Sequence, residues 1–475
     1  MAYISSYKNQ NWLIPLSIMD MIPKNHICFL VEDFVHSLDF SNFDMVYEGP
    51  GHPAYHPKIL MKILIQGMLS KERSSRKLAS ACRENFVFMY LSEKVQPNFR
   101  TICRFRKDNA NFIKETFKET IKLAFEHELV DLSLICSDGS KIKAYANKKK
   151  VVKKEALGIL DKIIEKMIVE DITQDELDIE LYGDKEENLT GMDRKDMKKI
   201  VQEYRKRKDK EKVLKTISKA KQEIKDNPKL KKVSLTDIDS RMMQNSKSFF
   251  ELAYNAQFSV DSKSQIIIAN DVCQDGHDAY QLEPQIKNVE ENVGKLPEGT
   301  KVSLDCGYSS GENIKFLNDK KLDGYIPNRA LAQEFDNKEQ TLKHDEYEYD
   351  WDKDEIIYNG KRFKYRAFYL RKNTDKKILM YFSEDGIKED VAEYFRERLR
   401  MKEKMKKPES RKVYSLRKVI VEPVIGNIKQ NFGFREFILK GLNKVRIDLN
   451  LVCIAHNLKK VWSKANKTKL INAVS

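Results

Sequence analysis

The spacing of apolar residues along the chain separates a helical region from a region of short strands. Up to residue 130, apolar side chains recur at helical intervals, as in PKILMKILIQGML (57–69), where a proline suits the first helical turn. Beyond it, runs rich in β-branched and aromatic residues, such as FFELAYNAQFSVD and SQIIIANDVC, predict strands paired as a hairpin. We therefore expect a helical N-terminal domain, residues 1–130, and an α/β domain, residues 131–475.

The α/β pattern is interrupted by two insertions. Residues about 148–235 are dense in charge and keep their apolar residues on one helical face, which predicts a helical insertion, in its simplest form a hairpin of two helices. Residues about 330–390 alternate aromatic and polar side chains around an Asn-Gly turn, which predicts a β-rich insertion. A further helix is expected over residues about 412–434.

The chain is strongly basic, and this narrows the classes of partner. Its 475 residues include 87 Lys and Arg against 72 Asp and Glu, a net charge of +15. Such an excess favours a nucleic-acid partner, although a basic protein without one has the same composition. Seven scattered cysteines without a C-x-x-C pair argue against a zinc finger or a disulfide framework. No apolar run approaches the roughly 20 residues of a membrane span, so we expect a cytoplasmic protein without a membrane partner.

Basic residues cluster on two predicted N-terminal helices. The segments SSRKLASACREN and FRTICRFRKDN are joined through SEKVQPN, which suggests a helix-turn-helix-like DNA-binding unit. A solvated basic helix pair is the alternative. The residues that we expect to contact DNA are Arg76, Arg100, Arg104 and Lys107.

Two predicted strands end in an aspartate, and a third carboxylate lies on the late helix. Asp138 follows LSLICS, Asp305 follows KVSL, and Glu422 is the one acidic residue of VYSLRKVIVEPVIGNIKQNFGF (413–434). Without the insertions, the order of elements is that of a ribonuclease-H-like α/β core. Carboxylates that converge from different elements meet the requirement of two-metal phosphoryl chemistry. Taken singly, an aspartate near a glycine is more often a turn former.

A rival acidic cluster occurs in QDGHDAY, with Asp275, His277 and Asp278. Its close spacing suits a turn better than a metal cage. We expect Asp278 to cap the helix that follows, and we leave the cluster out of the site.

The chain resembles bacterial insertion-sequence transposases of the DDE type, in the branch with a Tyr-Arg-Glu-Lys signature. The motifs that carry the resemblance are GHPAYHPKILMKILIQG, SSRKLA and TICRFRK in the N-terminal region, and DGSKIKA, DIDSRMM, YNAQFSVD, LDCGY and VEPVIGNIKQ in the catalytic half. The resemblance implies that Asp138, Asp305 and Glu422 are the catalytic, metal-binding triad.

The signature maps to Tyr414, Arg417, Glu422 and Lys429. The family's usual spacing puts the arginine four residues before the glutamate, where this chain has Lys418, so the sequence leaves open which of Arg417 and Lys418 contacts phosphate. Glu422 and Lys429 are expected on one helical face because they are seven residues apart. A proline directly after Glu422 is expected to interrupt the helix or to begin a new one.

By this resemblance, the protein is a DNA transposase that binds the terminal inverted repeats of its own element, cuts there and joins the freed 3′ hydroxyl to target DNA. The resemblance implies two Mg²⁺ ions, with Mn²⁺ able to substitute, and double-stranded DNA of the element ends and the target as partners. It also implies a homodimer or larger assembly on DNA and a place at the bacterial nucleoid. Two alternatives stay open: a catalytically silent, transposase-derived DNA-binding regulator, and a related nuclease without strand transfer.

Overall fold

The chain divides into two compact units, residues 1–123 with 450–475 and residues 124–449. The C-terminal residues 450–475 thus belong to the N-terminal unit, whereas the sequence placed all of 131–475 in one domain. The computed structural model describes residues 17–43, 54–169, 181, 190–205, 210–245, 248–335, 347–372 and 376–474. The first residues of the GHPAYHPKILMKILIQG motif and parts of both insertions lie outside these ranges.

The first unit is helical in its described part. Its elements are Cys28–His36, Pro57–Leu69, Ser75–Glu84, Phe86–Leu91, Phe99–Asp108, most of Ala110–Glu126 and the later part of Leu442–Val474. The helix predicted at 57–69 is confirmed, and it begins on its proline. His56 caps this helix, since its Nδ1 accepts a hydrogen bond from the Lys58 N–H at 3.1 Å. Nearly every side chain of the helix is buried, which explains its wide apolar face.

The second unit contains all the described strands. In chain order they are β1 (Leu134–Lys143), β2 (Val151–Lys153), β3 (Lys232–Ser234), β4 (Arg241–Gln244), β5 (Phe250–Asp261), β6 (Ile267–Cys273), β7 (Lys301–Leu304), β8 (Asp323–Tyr325), β9 (Glu348–Asp350), β10 (Glu355–Tyr358), β11 (Lys361–Leu370), β12 (Lys377–Ser383) and β13 (Lys388–Ala392).

The central sheet has six strands in the order β4-β5-β1-β7-β8, with β6 also paired to β5. The β5–β6 hairpin that the sequence predicts is confirmed, and β1 is antiparallel to β5 but parallel to β7. Helix Leu282–Val293 connects β6 to β7, and helix Gly311–Asp319 connects β7 to β8. Strand β5 is buried along almost its whole length, as expected for a strand paired on both edges.

The charged insertion has its own hydrophobic core. Strands β2 and β3 pair antiparallel at its base, and the described helices are Lys154–Val169, Gly191–Arg205 and Lys210–Asp226. The described residues of the insertion thus form three such helices, where the sequence predicted a hairpin of two. The apolar face predicted from the sequence is buried in this core, which includes Leu157, Leu160, Ile164 and Met167.

The β-rich insertion is a five-stranded antiparallel meander in the order β13-β12-β11-β10-β9. Asn359 and Gly360, between β10 and β11, have φ of 49° and 73°, which is the left-handed conformation that a type I′ hairpin turn requires. The sequence began this insertion at about residue 330, but residues Arg329–Phe335 form a helix. One face of the sheet packs on Phe395 and Leu399 of helix Phe395–Lys406.

The chain continues through helices Pro408–Ser415 and Arg417–Gly426, a π-helical turn Asn427–Asn431 and the long helix Leu442–Val474. Among the described residues, no helix is long and apolar enough to cross a membrane.

Candidate functional site

The register of the central sheet places Asp138 and Asp305 side by side. Strands β1 and β7 pair in parallel up to Ser137 and Leu304, so the two aspartates are the next residues on neighbouring strands. Asp138 does not end its strand as the sequence predicted, because β1 continues to Lys143 along β5 and Asp138 lies opposite Phe258. Asp305 does end β7, and it caps the short 3₁₀ helix that follows, accepting from the Cys306 N–H.

Arg417 bridges these two carboxylates. Its Nη2 lies 3.1 Å from Oδ2 of Asp138, and its Nη1 lies 3.9 Å from Oδ1 of Asp305. Only 6% of the Arg417 side chain is exposed, against 18% for Asp138 and 42% for Asp305. The single positive charge of the guanidinium is therefore shared between two carboxylates at a largely buried position, where an unpaired charge is costly.

Burial and charge act in opposite directions on this cluster. Burial raises the pKa of Asp138 to about 6, the Arg417 guanidinium opposes that rise, and the carboxylates of Asp305 and Asp278 add to it. Burial alone would lower the pKa of Arg417, but Asp138 and Asp305 outweigh it and hold that pKa above its usual value. Arg417 therefore stays charged, and the pKa of Asp138 is above that of an ordinary aspartate even with this cation beside it.

A cavity of about 530 Å³ opens at this pair. Its lining residues are Asp138, Asp305, Cys306, Arg329, Ala332, Gln333, Tyr414, Arg417, Lys418 and Glu422. The three carboxylates predicted from the sequence thus share one cavity with two further signature residues, Tyr414 and Arg417. Glu422 and Lys418 are exposed, whereas Arg417 is buried.

Tyr414 packs directly against the bridging arginine. Its hydroxyl accepts a hydrogen bond from Nη1 of Arg417 at 3.4 Å, and the guanidinium lies 5.6 Å from the centre of its ring. Burial raises the pKa of Tyr414 to about 12, so the phenol stays protonated. The hydroxyl can therefore donate a hydrogen bond to an anion in the cavity while it accepts one from Arg417.

The helical break lies one residue before Arg417 and not at the proline. Helix Pro408–Ser415 ends before Leu416, which separates it from the next helix, and Pro423 is inside helix Arg417–Gly426. Pro423 has no N–H for the carbonyl of Val419, and that carbonyl instead accepts a hydrogen bond from Nε2 of Gln265 at 2.6 Å. A partner outside the helix thus makes the internal proline tolerable.

Lys429 follows Glu422 through a π-helical turn and not along one regular helical face. Among the described signature residues, Lys429 is the one that does not line the cavity. Burial lowers its pKa, and Asp138 acts in the opposite direction, so its ammonium lies within electrostatic reach of that carboxylate. Because the π turn has more residues per turn than an α-helix, Glu422 and Lys429 do not lie on one helical face as the sequence predicted.

The donor set of the cavity suits a divalent cation. Carboxylate oxygens are the ligands that Mg²⁺ prefers, and Asp138, Asp305 and Glu422 supply them from two strands and a helix. In the described part of the chain, the only set of three or more ligating side chains within 4.8 Å of one another is Glu32, His36 and Glu93. The three cavity carboxylates are therefore more widely spread, and the Arg417 charge lies between two of them.

The Glu32 cluster already contains a cation from the protein itself. Nζ of Lys62, a fully buried residue, lies 3.0 Å from Glu32 and 2.9 Å from Glu93. This ammonium forms ion pairs with both carboxylates, and the cluster is a structural ion-pair network of the helical unit.

Comparison with protein families gives two matches in this chain. Residues 16–108 match the Transposase domain (DUF772), and residues 384–462 match the Transposase DDE domain. Both regions are similar to transposases. The matches support a transposase function, and the second implies a metal-dependent DNA-cleaving enzyme in general terms. No match was found among curated proteins or among solved structures.

The second match includes the two consecutive helices that carry Tyr414, Arg417 and Glu422, while Asp138 and Asp305 precede it. The first match includes the basic helices Ser75–Glu84 and Phe99–Asp108. A short helix, Phe86–Leu91, lies between them, so the two are not joined by a loop alone as the sequence suggested.

The predicted DNA-contacting residues of these helices lie on the surface. Arg76, Arg100, Arg104 and Lys107 are all exposed. The guanidinium of Arg76 lies 4.5 Å from the centre of the Phe99 ring, which holds it over the start of the second basic helix. Arg106 is buried instead and donates to the Arg73 carbonyl and the Ser75 hydroxyl, so it ties the two helices together.

Sequence reasoning missed Asp278. It does not cap helix Leu282–Val293, whose N-cap is Gln281. Its carboxylate lies against β5 and β1 and contributes to the raised pKa of Asp138. The one signal in the sequence is the glycine after Asp138, because a residue without a side chain in a buried strand marks a close approach by another group.

Proposed function

We propose that this protein is a DDE transposase that cuts and joins DNA at the ends of its own insertion sequence, with Asp138, Asp305 and Glu422 as its catalytic triad. The observation that carries the proposal is the convergence of these carboxylates with Arg417 and Tyr414 in one cavity. The two transposase matches support it from independent regions of the chain. We place its action on the DNA of the bacterial nucleoid.

The order of the sheet supports a ribonuclease-H-like core for this function. Three antiparallel strands, β6, β5 and β1, continue into two parallel strands, β7 and β8. This arrangement sets a carboxylate on the central strand β1 beside another at the end of β7. The helix with Glu422 supplies the third from outside the sheet.

The triad would bind two Mg²⁺ ions, with Mn²⁺ able to substitute. When bound, such ions activate the attacking water or 3′ hydroxyl and stabilise the leaving oxygen. The protein's own residues hold the scissile phosphate. Arg417 can form a planar, bidentate pair with phosphate, and its Nε is buried with no hydrogen-bond partner in the described chain.

The burial of Arg417 favours the Tyr-Arg-Glu-Lys assignment with Arg417 as its arginine. Lys418 lines the same cavity but is exposed, so we assign it a secondary contact with DNA. Lys429, whose ammonium interacts electrostatically with Asp138, would add a further positive charge to the site. Arg76, Arg100, Arg104 and Lys107 would bind the backbone of the terminal inverted repeats. Two element ends must be joined to one target, so we also propose a dimer or larger assembly on DNA.

The decisive experiment is a cleavage and joining assay on labelled duplexes that carry the two ends of the element, with Mg²⁺. Wild-type protein should cut the ends and transfer them to target DNA. Asp138→Asn, Asp305→Asn and Glu422→Gln should each bind the ends as the wild type does and cut no more than a sample without protein. Asp275→Asn is the matched control, because Asp275 is an exposed acid outside the cavity.

Each other outcome has a definite meaning. If one of the three variants cuts at the wild-type rate, the triad is wrong. Wild-type protein that binds ends without cutting them would be a silent regulator, and cutting without joining would indicate a nuclease.

A further inference from the structure

A fourth carboxylate, that of Asp278, packs against the main chain beside Asp138 and is not among the residues that line the cavity. Asp278 stands between β6 and helix Leu282–Val293, and 18% of its side chain is exposed. Its Oδ1 accepts hydrogen bonds from Nδ2 of Asn255 at 2.7 Å and from Nε2 of Gln257 at 2.6 Å. Both amides belong to β5 and are almost completely buried, so they hold the carboxylate in one orientation.

The backbone next to Asp138 is shaped to admit this carboxylate. A Cβ on Gly139 would lie 2.3 Å from Oδ1 of Asp278 and 2.5 Å from Nε2 of Gln257. Neither group can move away easily, since they are hydrogen-bonded to each other. Gly139 is therefore required by space: Asp278 packs directly on the main chain of β1, one residue after Asp138.

The same network reaches the turn that follows Asp305. Oε1 of Gln257 accepts a hydrogen bond from the hydroxyl of Tyr308, a fully buried residue. The Tyr308 N–H in turn donates to the carbonyl of Asp305 at 3.0 Å. Asp278 fixes the amide of Gln257, Gln257 fixes Tyr308, and Tyr308 fixes the turn from which the Asp305 side chain projects.

We propose that Asp278 is a positioning residue for the Asp138–Asp305 pair, an inference that rests on the proposed function. Asp278 is not among the described residues that line the cavity, so it acts through its neighbours. On one side it determines how the main chain of β1 presents Asp138. On the other it determines, through Gln257 and Tyr308, where the Asp305 turn lies. Groups that orient ligands in this way influence metal affinity without touching the metal.

The test measures Mn²⁺ binding to the full-length protein without DNA, by electron paramagnetic resonance titration. Asp278→Ala should weaken Mn²⁺ binding by about tenfold, the usual lower bound for loss of a group that orients ligands. Asp278→Asn should recover most of the affinity, because its amide oxygen can still accept from Asn255 and Gln257. Asp275→Ala removes an exposed carboxylate from the same segment between β6 and helix Leu282–Val293. This variant should bind Mn²⁺ as the wild type does.

Thermal unfolding and DNA binding are measured on the same samples to separate positioning from mere stability. Wild-type Mn²⁺ affinity in Asp278→Ala would overturn the proposal. The proposal would also be overturned if both Asp278 variants lost Mn²⁺ affinity together with a lower melting temperature and weaker DNA binding. If Asp278→Ala does not fold, Tyr308→Phe decides, since it removes only the hydroxyl that donates to Gln257. Wild-type affinity in Tyr308→Phe would then count against the network, and weakened affinity would support it.

The proposed function fails separately from this inference. If neither the wild type nor Asp138→Ala binds Mn²⁺ at the pair, the metal site itself is wrong. If the wild type binds it, Asp138→Ala does not and Asp278→Ala matches the wild type, only the positioning role is lost.

Discussion

Arginines on the N-terminal helices and the arginine of the cavity are both proposed to contact DNA phosphate, yet their surroundings are opposite. Arg100 and Arg104 are exposed on a helix without an acidic residue until its last position, Asp108. Arg417 is buried between two carboxylates and is held by Tyr414. The first kind of site offers positive charge to any nearby phosphate, while the second offers a fixed guanidinium at one position.

The difference indicates how each region is used. Exposed cations bind a polyanion by releasing counterions, which gives affinity that is sensitive to salt and insensitive to small changes of geometry. A buried arginine balances the charge of the carboxylates around it, so its removal disturbs the protein before any DNA arrives. Variants of the buried arginine should therefore lower protein stability, whereas variants of the exposed arginines should change the salt dependence of DNA binding. The following predictions test that difference.

The largest effect is expected from Arg417→Ala. It leaves Asp138 beside Asp305 without its ion-pair partner, and removing one member of a buried ion pair costs about 3 kcal/mol of unfolding free energy. Lys418→Ala, one residue later on an exposed position, should stay within about 0.5 kcal/mol of the wild type. Denaturant unfolding without metal measures both.

The same pair of variants settles which residue is the phosphate contact. Arg417→Ala should also lose strand cleavage at Mg²⁺ concentrations that saturate the wild type, and Lys418→Ala should retain most of it. If Lys418→Ala loses strand cleavage and Arg417→Ala retains it, the phosphate contact is Lys418 and the assignment of the signature is wrong by one residue.

A smaller but distinctive effect is expected from Gly139→Ala. The new methyl group would overlap the Asp278 carboxylate and the Gln257 amide, and overpacking of this kind costs about 1–3 kcal/mol. Gly158→Ala is the matched control, because nothing lies within 4 Å of a Cβ at that position inside helix Lys154–Val169. It should stabilise the protein by about 0.5–1 kcal/mol, so the two substitutions differ in sign.

These glycines also show what the sequence can and cannot predict. The proximity of Asp138 and Asp305 was predictable from two apolar runs that each lead into an aspartate and pair side by side, although Asp138 proved to lie within its strand and not at its end. The Asn359-Gly360 turn was predictable for a similar reason, since its local chemistry determines its conformation. The packing of Asp278 on Gly139 was not, because it joins residues far apart in the chain through a contact that leaves no periodic pattern.

The helix with Glu422 was predicted correctly in part. Helical structure in this region was expected from the sequence, but its break at Leu416 and the tolerance of Pro423 were not. The latter depends on the side-chain amide of Gln265, more than 150 residues earlier in the chain, which satisfies the carbonyl that proline leaves without a partner. Sequence patterns within one helix contain no information about such a donor.

The smallest effect on stability, and the sharpest test of the comparison, is expected from the exposed arginines. Arg76→Ala, Arg100→Ala and Arg104→Ala together should leave unfolding within about 0.5 kcal/mol of the wild type per site, because all three are on the surface. Binding to end DNA should nevertheless become less sensitive to salt. Each phosphate contact that is lost lowers the slope of log affinity against log salt by about one, because fewer counterions are released.

The control for this triple variant carries the same loss of charge elsewhere. Lys215, Lys219 and Lys225 are exposed on helix Lys210–Asp226 of the charged insertion, and their replacement by alanine should leave the slope unchanged. The two triple variants are compared by fluorescence anisotropy over a series of salt concentrations. If the insertion variant has the lower slope and the arginine variant does not, the DNA backbone is bound by the insertion. The exposed arginines would then be a solvated face, and burial would no longer separate the two roles of arginine in this protein.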